Sequence, residues 1–234
     1  MLLKEIWTWG TKRLEGSWPG SLATPTAVRL SRWGHYGTPL LLLPSAGADS
    51  EEVERFGMIE ALRSPIEAGR LKVFSLDGLA AHPWLQAKAP PDECARAQRA
   101  WEALVSEEVL PQIRTDCRSD DVEIFVAGPA FGACSALALA CRYPDVFRGA
   151  IAMSMPFSMP VQWPEGRQLT QLRQRFIEIA TGEGPFERPV HSRVMAQALS
   201  SRGVPNHLDV WGRKYAHAWA TWRDMIQKYV PAMA

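Results

Sequence analysis

The sequence predicts an α/β protein built on a mostly parallel sheet. Short apolar segments typical of buried strands, such as 40–43 and 71–76, alternate with longer segments of helical period, such as 92–113. This alternation is typical of parallel strands joined by helices that cover both faces of the sheet. The first two strand segments, 4–9 and 26–33, instead alternate apolar and polar residues, which predicts an antiparallel edge at the N-terminal end.

The remaining elements follow in chain order. After the strand at 40–43 and a loop at 45–50, a helix is predicted over 51–68, and Gly69 would end it. The later elements are strand 71–76, helix 92–113, strand 122–127, helix 133–142, strand 148–154, helix 168–174, strand 176–181, helix 190–202, strand 207–211 and helix 219–230. Because the chain has no repeat, linker or low-complexity tract, we expect residues 1–234 to form a single domain.

Composition narrows the functional class. A net charge of +1 gives no reason to expect a nucleic-acid or membrane-surface partner. No apolar run is long enough for a membrane span, and the N-terminus lacks the layout of a signal peptide. The four cysteines and five histidines lack metal-ligand spacing, and no phosphate-binding or dinucleotide motif occurs, so no metal or cofactor is expected. Four free thiols favour a cytoplasmic location.

The segment 122–135 is the most informative part of the chain. An apolar strand runs into a Gly-x-Ala-x-Gly turn, with Gly128, Ala130 and Gly132, and a helix of small residues follows. In serine hydrolases the middle of such a turn carries the nucleophile. Alanine offers neither a hydroxyl nor a thiol, so covalent catalysis lacks its reacting atom. The alternatives are a plain strand-to-helix turn and an enzyme that uses another nucleophile, such as Cys134.

A triad on this scaffold also needs a histidine late in the chain and a carboxylate before it. His217 follows the last strand, where the base belongs, and a surface histidine is the alternative interpretation. Glu183 and Glu187 are the carboxylates in the loop after Thr181, and either of them could serve as the acid or simply lie at the surface.

An oxyanion hole would be formed by backbone N–H groups of Phe131, which follows the turn, and of Ala46 or Gly47, in the loop after Pro44. Backbone donors survive changes of side chain, so this feature could persist without a nucleophile.

Several segments together resemble the putative esterase family of the α/β-hydrolase superfamily, which includes esterase D-like proteins. They include Pro44 to Gly47, the turn at Ala130, Arg142 to Phe147, Thr181 to Gly184 and Gly203 to Gly212. The resemblance implies an α/β-hydrolase fold and an acyl or ester small molecule as substrate class.

The departures from the family pattern suggest a loss of activity. The family turn carries serine where this chain has Ala130, the usual aspartate position lies near Pro185, and the lid segment 155–163 is short, apolar and rich in proline. That segment is either an exposed contact for a partner or a plug of the old pocket. We therefore expect a catalytically silent homologue with a reduced lid that binds a ligand or protein. The alternative is a serine ester hydrolase captured as an inactive Ser→Ala variant at position 130.

Overall fold

Eight strands in the described part of the chain form one sheet. The computed structural model describes residues 9–16, 26–78, 83–86, 89–158 and 161–232, with side chains from residue 28 onward. The strands are β1 (Trp9–Gly16), β2 (Thr26–Trp33), β3 (Thr38–Leu42), β4 (Leu71–Leu76), β5 (Ile124–Pro129), β6 (Phe147–Met153), β7 (Phe176–Thr181) and β8 (His207–Val210). Their order across the sheet is β1-β2-β4-β3-β5-β6-β7-β8.

The pairing confirms the predicted sheet. β2 pairs antiparallel with β1 and with β4, whereas every pairing among β3 to β8 is parallel. The strand predicted at 4–9 lies outside the described residues except for Trp9. The first described strand instead covers 9–16.

Nine α-helices occur in the described ranges: α1 (Glu52–Arg55), α2 (Met58–Ala61), α3 (Arg63–Glu67), α4 (Pro91–Leu104), α5 (Leu110–Cys117), α6 (Phe131–Arg142), α7 (Gly166–Leu172), α8 (Pro189–Ser200) and α9 (Trp219–Tyr229). The single helix predicted over 51–68 is wrong, because Gly57 adopts a left-handed conformation with φ of 78° and breaks the segment. A π-helical turn, Val105–Val109, joins α4 to α5.

Alternate residues of the strands point to opposite faces, and each face has its own core. Leu41 and Val126 pack on the face covered by α4 to α8, while Leu40 and Ala127 pack on the face covered by α1 to α3 and α9. The central strands are apolar on both sides because helices cover both faces. Helix α6 runs through the first core and is buried from Gly132 to Cys141.

Asp209 ties the edge strand β8 to α9. Its carboxylate accepts hydrogen bonds from Trp211 Nε1 at 2.9 Å and Tyr229 Oη at 2.6 Å, and it pairs with Lys228. Burial opposes ionisation, but these donors outweigh it and lower the pKa of Asp209 to about 2. The carboxylate therefore stabilises the corner that leads into the loop carrying His217.

We expect Asp209→Asn to lower the free energy of unfolding by about 2 kcal/mol at pH 7. A lowered pKa contributes stability that is present above the unfolded-state value of 3.8 and lost as pH falls toward 2. Urea unfolding at pH 7 and near pH 2.5 measures the change, with Asp224→Asn on the exposed side of α9 as control. An equal loss at both pH values would contradict the prediction.

Candidate active site

Ala130 occupies the tip of a sharp turn between β5 and α6. Its φ of 51° and ψ of −120° form a strained conformation that alanine rarely adopts. The turn depends on two close backbone approaches. A Cβ added at Gly128 would lie 2.6 Å from the carbonyl carbon of Gly132, and one added at Gly132 would lie 2.5 Å from the Pro44 carbonyl oxygen. The local geometry is therefore that of a turn which presents a nucleophile, with a methyl group at its tip.

The N–H of Phe131 is hydrogen-bonded to a backbone carbonyl. It donates to the Ser45 carbonyl oxygen at 3.0 Å. An oxyanion hole requires N–H groups that point at the developing negative charge, whereas here a carbonyl oxygen holds one of the two predicted donors. The roles of Phe131, Ala46 and Gly47 as oxyanion donors stay a prediction, and this conformation offers the first of them only if Ser45 moves away.

Glu52 holds Ser45 in this orientation. Its buried carboxylate accepts the Ser45 N–H at 2.8 Å and the Ser45 hydroxyl at 2.9 Å. From the other side, the N–H of Gly78 donates to the Ala48 carbonyl at 2.6 Å, and a Cβ at Gly78 would lie 2.3 Å from the Ala46 carbonyl oxygen. The loop from Ser45 to Ala48 is thus fixed from both ends.

A small cavity of about 10 Å³ lies beside the turn, between Pro44, Ala46, Trp101 and Phe131. The lid segment contacts the turn, since the ring centroid of Phe157 lies 6.0 Å from that of Phe131. Residues 159–160 of the segment lie outside the described residues, so the plug and the exposed-contact interpretations both stay predictions.

Of the two candidate acids, Glu187 is the one beside His217. Its side chain is fully buried, and its carboxylate accepts the Ser154 hydroxyl at 2.5 Å and the Thr181 hydroxyl at 3.2 Å. Burial opposes ionisation, but the contacts with His217 and Ser154 outweigh it and hold the pKa of Glu187 below its ordinary value. Glu183 instead lies near the surface, 3.3 Å from Arg193.

His217 faces Glu187 from the neighbouring loop. Its Nδ1 lies 3.7 Å from Glu187 Oε2, which is within ion-pair reach but longer than a hydrogen bond. The backbone N–H of His217 donates to the Pro185 carbonyl at 3.0 Å. The imidazole ring stands edge-on to the Trp222 ring, with centroids 5.0 Å apart. The backbone bond anchors the loop, and the imidazole ring contacts both the Glu187 carboxylate and Trp222.

Two glycines allow the acid loop and the histidine loop to touch through their backbones. The N–H of Gly184 donates to the Tyr215 carbonyl at 2.9 Å. A Cβ at Gly182 would lie 2.1 Å from the same oxygen. The Gly-Glu-Gly sequence after Thr181 therefore sets the separation between Glu187 and His217.

The end of β6 connects the turn to the acid. The N–H of Ala130 donates to the Met153 carbonyl at 2.8 Å, and the next residue, Ser154, donates its hydroxyl to Glu187. Ser154 has a positive φ of 56° and is completely buried. The strand end at Met153 and Ser154 therefore links the turn at Ala130 to Glu187, the candidate acid.

Cys134 does not offer a replacement nucleophile. Its thiol is buried within α6 and donates to the Phe157 carbonyl at 3.4 Å. Burial raises the pKa of Cys134 to about 12, so almost none of the reactive thiolate exists near neutral pH.

Glu52 and Ser154 are contributors that sequence reasoning missed. Glu52 lies within the helix predicted over 51–68, and no local pattern links it to Ser45. Ser154 carried a usable signal, because a polar residue ends an apolar parallel strand at the same sheet edge as the Ala130 turn.

The described ranges contain neither a metal-binding cluster nor a membrane-spanning helix. Within them, no group of three or more His, Cys, Asp or Glu side chains could hold a metal ion. No helix in the same ranges has the length and apolar character needed to cross a membrane.

Solved esterases share this architecture. A ferulic acid esterase superposes with a TM-score of 0.72 at 16% identity, covering 95% of this chain and 96% of that one. An S-formylglutathione hydrolase from Agrobacterium tumefaciens gives 0.67 at 16% identity, covering 95% and 93%. FphF, a fluorophosphonate-binding serine hydrolase of Staphylococcus aureus, gives 0.64 at 16% identity, covering 96% and 98%. The likeness shows that the fold is the α/β-hydrolase fold.

Sequence comparison then identifies the family. Among curated protein sequences none matches this chain. The model of the family described as "Putative esterase" matches residues 77–232, which include the turn at Ala130, Glu187 and His217. Since the match covers well over half of the sequence, the chain belongs to the putative esterase family of α/β-hydrolases.

Proposed function

We propose that this chain is a catalytically silent member of the esterase family that acts by binding a ligand or a protein partner. A serine esterase needs a hydroxyl at the tip of the turn to form its acyl-enzyme, and Ala130 has none. His217 would have no proton to accept from the nucleophile.

The observation that carries the proposal is the hydrogen bond from the Phe131 N–H to the Ser45 carbonyl. A Ser→Ala exchange in an active esterase would only remove one oxygen atom. It would not explain why the Ser45 carbonyl occupies the place where an oxyanion would bind. Glu52, which lies outside the turn, holds that carbonyl in place. One oxyanion donor contributes a factor of about 10²–10³ to the rate. The bond between the Phe131 N–H and the Ser45 carbonyl is therefore a second defect, independent of the missing nucleophile.

The contact between the lid segment and the turn supports the same conclusion. Phe157 of the lid segment packs on Phe131, the residue that follows the tip of the turn. A ligand or partner that binds at the turn would therefore contact the lid segment or displace it.

One observation favours the alternative of a serine ester hydrolase captured as a Ser→Ala variant. Glu187 and His217 keep the side-by-side arrangement of a triad acid and base. The natural coding sequence discriminates directly, because a serine codon at position 130 would overturn the silent interpretation.

The test is Ala130→Ser, assayed with p-nitrophenyl acetate and with a fluorophosphonate probe. We expect neither the parent nor the variant to hydrolyse the ester above the rate of Ala130→Ser/His217→Ala, the matched control that lacks the base. A gain of about 10³-fold or more that disappears in the control would contradict the proposal, since that is the scale of triad catalysis.

We propose that the protein is located in the cytoplasm. Cys94, Cys117, Cys134 and Cys141 are all free thiols, and three of them are buried. Free thiols persist most readily in a reducing compartment.

A further inference from the structure

A cleft lies at the sheet edge opposite the turn at Ala130. It opens at the amino-terminal ends of the parallel strands, where β3 begins at Thr38, β4 at Leu71 and β6 at Phe147, and its volume is about 1050 Å³. The turn and the acid loop instead follow the carboxyl ends of β5 and β7. A cavity of this size matches the volumes of small-molecule sites, about 300–1000 Å³.

Buried charges line the cleft. Asp116 lies between two cations, with its Oδ1 2.5 Å from Arg32 Nη1 and its Oδ2 2.5 Å from Lys72 Nζ, and the Lys72 side chain is only 5% exposed. Burial opposes ionisation of Asp116, but the two cations outweigh it and lower the pKa of its carboxyl group. Asp116 thus holds Arg32 and Lys72 together at the floor of the cleft.

The rim adds two more cations. Arg118 and Arg148 are exposed, and no carboxylate of the described residues pairs with either of them. The guanidinium of Arg148 lies over the Phe125 ring at 5.6 Å. Of the rim carboxylates, Glu123 is already paired with Arg175 at 2.6 Å, which leaves Asp121 as the one without a cationic partner among the described residues.

We propose that this cleft binds the phosphate group of a small organic molecule. Arg118 and Arg148 line the same cleft, and guanidinium groups match the oxygens of phosphate through paired hydrogen bonds. The exposed ring of Tyr36 at the mouth provides a surface for the organic part of the ligand. The Asp121 carboxylate on the rim would repel a long polyanion, and the net charge of the chain is only +1, which together favour a small ligand over a nucleic acid. This inference does not depend on the silence of Ala130.

The test is calorimetric titration of the full chain with pyrophosphate at low ionic strength. We expect saturable binding that weakens by about tenfold or more in Arg118→Ala/Arg148→Ala, because charge-assisted hydrogen bonds are lost. Arg167→Ala/Arg213→Ala removes two exposed arginines outside the cleft and should bind as the parent does. Both pairs lie at the surface, and circular dichroism checks that each variant folds.

Four results would overturn the proposal. The first is no saturable binding of pyrophosphate, and the second is equal weakening in both variant pairs. The third is that citrate binds as tightly as pyrophosphate, which would remove the assignment to phosphate. The fourth is that a short RNA binds more tightly than pyrophosphate and that the cleft variant loses this binding, which would replace the small molecule with a nucleic acid.

Discussion

Gly132→Ala is expected to lower the free energy of unfolding by about 3 kcal/mol, or the melting temperature by about 5–10 °C. The new Cβ would lie 2.5 Å from the Pro44 carbonyl oxygen and 3.1 Å from that of Leu43. Both contacts are backbone atoms that follow a central strand, so neither can rotate away. Helix propensity alone would make alanine better than glycine here by about 1 kcal/mol, so a loss of stability isolates the steric contact.

Gly212→Ala is the matched control, because a Cβ at Gly212 meets nothing within 4 Å. We expect it to change the free energy of unfolding by no more than about 0.5 kcal/mol. Thermal and urea unfolding of both variants measure the difference. Equal stability of Gly132→Ala and Gly212→Ala would show that α6 does not pack closely against the end of β3. The fixed position of Ser45, which depends on that packing, would then be contradicted as well.

The elements that sequence could predict are those whose cause is local. The apolar runs at 71–76 and 176–181 match β4 and β7 at both ends, and glycines at 69 and 203 adopt the positive φ values expected of helix ends. The helix over 51–68 failed because its apolar period continues through Gly57, whose left-handed conformation breaks the helix while the buried positions continue.

The candidate site divides in the same way. The turn at Ala130 and the place of His217 follow from a strand-to-helix pattern and from order along the chain. The sequence could not distinguish Glu183 from Glu187, because both lie in one short loop. In the structure Glu187 is buried beside His217, whereas Glu183 lies near the surface. The direction of the Ser45 carbonyl was also beyond a local pattern, because it depends on Glu52 and Gly78, which approach from separate segments.

The silent function proposed above leaves the retention of Glu187 beside His217 to be explained, and stability supplies an explanation. Glu187→Ala is expected to lower the free energy of unfolding by about 2–3 kcal/mol, because the buried Ser154 hydroxyl loses its acceptor and Thr181 loses one of its two. Glu183→Ala is the control from the same loop. Its carboxylate is partly exposed beside Arg193, so its loss should cost no more than about 0.5 kcal/mol.

The pH dependence separates this role from a catalytic one. The pKa of Glu187 is lowered on folding, so its contribution is present above the unfolded-state value of 4.5 and is lost as pH falls through the lower folded-state value. Urea unfolding across pH 3 to 7 should show a smaller acid loss of stability in Glu187→Gln than in the parent. If Glu187→Ala proved as stable as Glu183→Ala at pH 7, packing would not explain why the pair persists. A catalytic requirement, and with it the Ser→Ala interpretation of residue 130, would then become the better account.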